Sequence, residues 1–299
     1  MTTGPDVSYA TVGDVELAYT TMGDPQAPPV LLVAGLGGQL ISWDDRFCQL
    51  LVDRGLFVVR FDNRDVGLST HFDAAVGAAA GDAQAPAYAL ADLAADAAGL
   101  IDALGLGSAH LVGVSMGGMI VQILAIEHPE RVRSLTSIMS TTGNREVGEA
   151  TPEAFALLTS PPATTREEVL DHSVLDNRLM GSPAFPVAEK ELRDRVARAF
   201  DRCYYPDGVA RQLQACLTTP DRTAALGRVG HPALVIHGVA DPLISVSGGR
   251  ATAAAIPGAE LLEIDGMGHD LPAQVWPTVV DRIVELIDRA EQGRVRIQG

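Results

Sequence analysis

Lysine is nearly missing from this sequence: Lys190 is the single one, and 22 basic residues face 38 acidic ones for a formal net charge of −16. A chain without a basic stripe cannot displace counterions from a phosphate backbone, so nucleic acid is excluded as a partner. It also lacks the polybasic segment that docks proteins on anionic membranes. Cysteine is scarce as well. Cys48, Cys203 and Cys216 are too few and oddly counted for a disulfide scaffold, and none has metal-ligand spacing. A reducing cytoplasm and no metal are the expectation. No apolar run approaches the length of a membrane span, and the N-terminal Met-Thr-Thr-Gly-Pro-Asp has neither the basic patch nor the apolar stretch of a secretion signal. Neither membrane insertion nor secretion is expected.

What the chain does have is length, 299 residues, and a hydrophobic content of 47%, enough to bury a substantial core. The stretch that organises it is Ala-His-Leu-Val-Gly-Val-Ser-Met-Gly-Gly, residues 109–118. A short apolar run there ends in a serine bracketed by Gly113 and Gly117, and a helical pattern follows until Pro129. This is the nucleophile-elbow pattern: the serine sits on a strained strand-to-helix turn where a side chain at either flanking position would collide with backbone. Ser115 is the candidate nucleophile. The helix behind it aims N–H groups and a positive dipole end at any oxyanion formed there, with Met116 N–H as the first donor.

Around that centre the chain alternates. Val7 to Val12 and Val15 to Thr20 read as a hairpin about Gly13-Asp14, and Val30 to Ala34 as a strand buried on both faces. Gly35-Leu36-Gly37-Gly38 comes next. An elbow serine needs a second oxyanion donor from another loop, and Leu36 N–H is the candidate; the alternative is a loop whose glycines only permit a tight turn. Ser42 is expected to cap a helix running to Arg54, and Leu56 to Phe61 forms the next strand. The polar loop Asp62-Asn-Arg-Asp-Val-Gly-Leu-Ser69 is read as structural, its Asp62, Arg64 and Asp65 satisfying backbone beside a sheet edge. His71 to Pro86 is read as a loose surface loop, and Leu93, Ala97, Leu100, Ile101 and Leu104 as the core face of a helix. Arg131 to Ser140 is a further strand.

Residues 141–226 differ. Strand-like runs give way to amphipathic helical segments at roughly 152–159, 165–178, 187–204 and 207–218. The expectation is a helical cap, or lid, inserted into a core made of residues 1–140 and 227–299, placed where a substrate lid would sit. Alternation resumes with strands at Pro232 to Gly238 and Glu260 to Ile264, helices at about Val246 to Ala255 and Pro272 to Ala290, and glycine-rich loops between.

A serine hydroxyl needs a base within reach and a third group to orient that base. In a mostly parallel sheet the functional loops gather at the strand carboxyl ends, and Ser115, Asp241 and His269 each follow a predicted strand in the order expected for an elbow nucleophile. His269 is the candidate base. His110, His128 and His237 have structural explanations at strand or helix positions. Asp241 is the candidate acid; Asp265 and Asp270 compete, but neighbours on one tight loop rarely face each other squarely.

Gly-Val-Ser-Met-Gly, Asp-Asn-Arg-Asp-Val-Gly-Leu-Ser, His-Gly-Val-Ala-Asp and Gly-Met-Gly-His, in this order and spacing, resemble the α/β-hydrolase superfamily over almost the whole chain. Within it the sequence is most similar to actinobacterial serine esterases and lipases, a group that includes aclacinomycin methylesterase. The resemblance implies an α/β fold, a mostly parallel twisted sheet flanked by helices with an inserted helical cap. It also implies carboxylic ester hydrolysis through an acyl-enzyme, and no cofactor. Ala34-Gly35 departs from the His-Gly that many members carry before the oxyanion residue. Because the donor is a backbone N–H, the departure bears on loop stiffness rather than on the chemistry.

The expected partner is a small-molecule ester of small to medium acyl chain, or a methyl ester. The same triad also suits a carbon–carbon bond hydrolase, lactonase, thioesterase or cofactor-free perhydrolase, and a ligand sensor on a hydrolase fold is the reading from another class. Substrate-binding residues are expected within 141–226. Phe155, Leu157, Leu158, Phe185, Phe200, Tyr204 and Tyr205 there either line an apolar cavity or pack the cap onto the core. The sequence is compatible with a homo-oligomer.

Overall fold

A computed structural model describes residues 7–72 and 86–298. The alanine- and glycine-rich stretch expected as a surface loop lies, over 73–85, outside the described residues. Eight strands form one sheet: β1 (Ser8–Val12), β2 (Val15–Met22), β3 (Pro29–Val33), β4 (Phe57–Phe61), β5 (Ala109–Val114), β6 (Val132–Ile138), β7 (Ala233–Gly238) and β8 (Glu260–Ile264), in spatial order β1-β2-β4-β3-β5-β6-β7-β8. β1 and β2 pair antiparallel, as do β2 and β4. From β4 through β8 every pairing is parallel. Strand order reverses between β3 and β5, because β4 goes to one side of β3 and β5 to the other. Such a switch point opens a crevice at the carboxyl ends of the two strands.

The period-two alternation of buried strands divides the core. Leu31, Val33 and Leu111 face α2 (Leu90–Ala103) and α3 (Met116–Glu127). Val30, Leu32 and Val112 face α1 (Asp45–Val52) and α10 (Trp276–Gln298). Every residue of β3 is buried, which is why its sequence reads as an unbroken apolar run rather than an alternation. The start of α1 differs from expectation. Leu40–Ser42 makes a 3-10 turn, and Asp44, not Ser42, caps α1 by accepting the Arg46 N–H at 2.8 Å. A carboxylate is the better partner for the positive helix end.

Between β6 and β7 lie α4 (Pro152–Leu158), α5 (Arg166–Met180), α6 (Glu189–Arg202), α7 (Pro206–Thr218) and a short α8 (Thr223–Leu226) that has no counterpart in the sequence pattern. α9 (Val246–Ala255) joins β7 to β8. α10 runs beyond the expected end at Ala290, and a 3-10 turn, Ala273–Val275, precedes it. Among the described residues no helix is long and apolar enough to cross a membrane.

Candidate active site

The crevice between β3 and β5 is lined by the two loops singled out in the sequence. Ser115 stands at the end of β5 with φ +53° and ψ −118°, a left-handed conformation costly for a residue with a side chain. Its neighbours make the turn feasible. A Cβ at Gly113 would lie 2.2 Å from the Gly117 carbonyl oxygen, and one at Gly117 would lie 2.2 Å from that of Val33. Both contacts are with backbone, so only glycine fits. The turn is tied to β6: Ser115 N–H donates to Ile138 O at 2.9 Å, and Ser140 Oγ donates to Ser115 O at 2.8 Å.

His269 reaches Ser115 from the loop after β8. Its Nε2 lies 3.0 Å from Ser115 Oγ, and its Nδ1 lies 2.7 Å from Asp241 Oδ2, on the loop after β7. The other Asp241 oxygen accepts the N–H groups of Leu243 and Ile244, each at 2.9 Å. Burial pushes the Asp241 carboxyl up, but the imidazole of His237 beside it and the hydrogen bonds from His269 and the Ile244 N–H outweigh it and bring it down to about 2. A carboxylate only accepts, so Nδ1 of His269 carries the ring proton and Nε2 offers its lone pair to the serine hydroxyl. Of the competing carboxylates, Asp265 is exposed, and Asp270 takes a hydrogen bond from Ser182 Oγ while burial raises its pKa.

The Gly35 loop lies against the same serine, since a Cβ at Gly35 would stand 3.3 Å from Ser115 Cβ. Among the described residues no acceptor takes the N–H of Leu36 or of Met116. A family model for the alpha/beta hydrolase fold matches residues 28–273, enclosing all of these loops. The chain belongs to the α/β-hydrolase family. Rhodomycin D methylesterase DnrP of Streptomyces peucetius is 34% identical over 282 residues, covering 88% of this chain and 91% of the relative. Rhodomycin D methylesterase DauP of Streptomyces sp. (strain C5) is 32% identical over 284 residues, covering 89% and 92%. The solved enol-lactonase from Burkholderia xenovorans LB400 has a TM-score of 0.71 at 25% identity, over 94% of this chain and 100% of that one.

In this α/β-hydrolase a cavity of about 600 Å³ opens over Ser115 and His269. Its wall is chiefly apolar, and the aromatic residues weighed in the sequence contribute little to it. Phe155 and Leu158 line it; Phe185 packs on the core beside α10. Phe200 stacks on Tyr204, and Tyr205 stacks on His71 while its hydroxyl donates to Phe72 O. Met116, Met119, Met139 and Met180 take the place of those rings in the wall. Thioethers are flexible and polarisable, so they adapt to irregular apolar ligands.

The polar loop 62–69 is bound to the helical segment above it. Asp62 accepts from Leu40 N–H at 2.6 Å, Leu68 N–H at 2.9 Å and Arg202 at 2.7 Å, and Asp65 accepts from Arg211 Nε and Nη2 at 2.8 and 3.0 Å. Arg64 pairs with the buried Asp96 at 2.6 Å. The sequence missed one neighbour of Asp241. His237 is fully buried, donates from Nε2 to Ile244 O at 2.7 Å and stands 3.5 Å from Asp241 Oδ2. Its strand position pointed only to a structural role. The signal for more was the short His-Gly-Val-Ala-Asp spacing, which brings its ring back over the turn.

Proposed function

We propose that this α/β-hydrolase is a serine-dependent carboxylic ester hydrolase cleaving methyl esters or esters of small to medium acyl chains. The reading is carried by the hydrogen-bonded line Asp241–His269–Ser115 at the floor of a 600 Å³ cavity. Ser115 Oγ attacks the ester carbonyl as His269 Nε2 takes its proton, and ionised Asp241 holds the ring in the needed tautomer and stabilises the imidazolium. The N–H groups of Met116 and Leu36 receive the tetrahedral oxyanion. His269 then protonates the departing alcohol, leaving an acyl-Ser115 ester that water hydrolyses with the same parts.

Methyl esters suit this arrangement because methanol is small, and the apolar cavity is then left for the acid part. That two methylesterases are similar over nearly their whole length supports the same reading. The helices of 141–226 serve as a cap inserted into a core of 1–140 and 227–299, and three unpaired thiols suit a reducing cytoplasm. An intramolecular ester is the second substrate form to consider, given the likeness to an enol-lactonase.

The test is turnover of p-nitrophenyl esters from acetate to long acyl chains, alongside methyl esters and lactones, by the wild type and Ser115→Ala. Replacing Ser115 is expected to lower kcat by about 10³-fold or more with the fold intact by circular dichroism. Retained ester turnover in that variant would sink the assignment, and a wild type idle on esters but active on lactones would move it to the second form.

A further inference from the structure

The two N–H groups assigned to the oxyanion are held in different ways. Met116 opens α3, whose hydrogen bonds fix it. Leu36 lies in Gly35-Leu36-Gly37-Gly38, a loop in no helix or strand and rich in the residue with the widest backbone freedom. One turn bond, Gly38 N–H to Gly35 O at 3.0 Å, closes it locally. A bond of that kind leaves the direction of the loop relative to Ser115 to other contacts.

Core contacts flank the loop, Asn63 Nδ2 donating to Ala34 O at 3.3 Å and Leu40 N–H to Asp62 at 2.6 Å, but the side-chain contacts on Gly37 itself come from the inserted helices. Gln212 on α7 is fully buried, and its Oε1 accepts the Gly37 N–H at 2.9 Å across 175 residues of sequence. Its Nε2 donates to Arg64 O at 2.8 Å. Val209, one turn earlier on α7, lies close over Gly37, where φ is +65° and a Cβ would come within 3.1 Å. Just past the loop, Gln39 Nε2 donates to Ala199 O at 2.7 Å and Cys203 O at 2.8 Å, and Arg202 donates to Gln39 Oε1 at 2.6 Å. A primary amide suits position 212. It offers acceptor and donor on one rigid plane and carries no charge to desolvate at a site closed to water.

We infer that Gln212 is a positioning residue for the oxyanion: by holding the 36–37 peptide it aims the adjacent Leu36 N–H at Ser115 before substrate binds. The inserted helical segment is then part of the catalytic apparatus and not only a cover, since loosening α7 from the core also loosens the oxyanion loop. The inference rests on the proposed roles of Ser115 and Leu36. It differs from plain structural support in its consequence, because a loop donor acts in the transition state while ground-state substrate binding relies on the apolar cavity.

The experiment compares the wild type, Ser115→Ala, Gln212→Met and Gln212→Glu, all full length, for kcat and KM on a p-nitrophenyl ester, inhibition by phenylboronic acid, and melting temperature. The boronate forms a serine adduct whose oxygen occupies the oxyanion position. Gln212→Met is expected to lower kcat by about tenfold to a hundredfold and weaken boronate inhibition by a like factor, with KM changed by less than about twofold. Gln212→Glu, which only when protonated offers both an acceptor to Gly37 N–H and a donor to Arg64 O, is expected to regain kcat relative to the wild type at the same pH as pH is lowered from about 8 to about 6. Wild-type kcat and boronate affinity in Gln212→Met, with only the melting temperature lowered, would reduce Gln212 to a structural role and overturn the inference. If Gln212→Met does not fold, Gln212→Asn, whose amide is one methylene short of Gly37, is read the same way. Ester turnover retained by Ser115→Ala, or a wild type indifferent to boronate, would instead overturn the roles of Ser115 and the oxyanion donors.

Discussion

β3, β5 and β6, which carry the floor of the site, bury every residue except Val114 and Arg133, whereas α5 and α6 above them bury one residue each, Leu170 and Leu192. The floor coheres by apolar burial, which is non-directional and sums over many contacts. The helical segment meets it through a few apolar residues, Ala215 and Leu226 among them, and through a set of directional polar ties. Arg202 meets Asp62, Arg211 meets Asp65, Gln212 meets Gly37 and Arg64, Met180 O accepts the His269 N–H at 2.7 Å, and Ser182 Oγ accepts the Gly268 N–H at 2.9 Å. These ties grip both sides of the crevice, the Gly35 loop and the His269 loop. The difference teaches that a helical segment with few buried apolar residues can still hold the loops beneath it, provided its polar contacts are buried and land on them.

The comparison is broken most forcefully at the floor. Asp241→Asn keeps the side-chain volume but removes the charge that selects the His269 tautomer, and kcat is expected to fall by about 10³- to 10⁴-fold, with the melting temperature lowered by only a few degrees as the carboxylate's own contribution is lost. Steady-state kinetics on a p-nitrophenyl ester checks this. The joint between the two regions comes next. Asp62→Ala strips Arg202 of a fully buried partner and orphans two backbone N–H groups, so urea unfolding is expected to show a loss of about 3–5 kcal/mol. A loss below about 1 kcal/mol would mean that the ties are ornamental and apolar contacts hold the helices.

A pH experiment sharpens the contrast further. The Asp241 carboxyl titrates at about 2 in the folded protein against an ordinary 3.8. Its ionisation therefore adds stability that is fully present above pH 4 and is lost as pH falls through 4 toward 2. The wild type should lose about 2 kcal/mol more than Asp241→Asn between pH 5 and pH 2, read from urea unfolding at each pH. The smallest effect belongs to the outer face of the inserted helices, where Lys190 pairs with Asp194 in full exposure. Lys190→Ala is expected to move the melting temperature by no more than about 1 °C by calorimetry.

Much of this architecture is legible in the sequence. The elbow glycines and the buried run at β3 each announce themselves within a few residues, and the Ser-Asp-His order reads along the chain from 115 to 269. The four longer helices between β6 and β7 were visible from their apolar period, though α8, a single turn, was too short to show one. Reading Phe200, Tyr204 and Tyr205 as candidates for the cavity wall followed from their size alone. Their rings stack on one another and on His71, and methionines from β6, α3 and α5 or their edges take the wall instead. Apolar character predicts burial, but not which apolar neighbour a ring will meet.

The sequence by itself determined the strand–helix alternation, the strained serine turn and the loops that carry Asp241 and His269, because those depend on short-range sterics and on periods of 2 and 3.6 residues. Only the tertiary structure decided that Gln212 touches Gly37, that His237 leans on Asp241 and that loop 62–69 is the joint for the inserted helices. The Gln212, Arg202 and Arg211 contacts span 140 to 175 residues of sequence. They exist because helix packing brings the groups together, and no local spacing encodes which glutamine or arginine will face which loop. His237 is close to Asp241 in sequence, yet its contact depends on how the chain turns after β7. That direction is set by the packing of α9, where Gly249 leaves room for the imidazole.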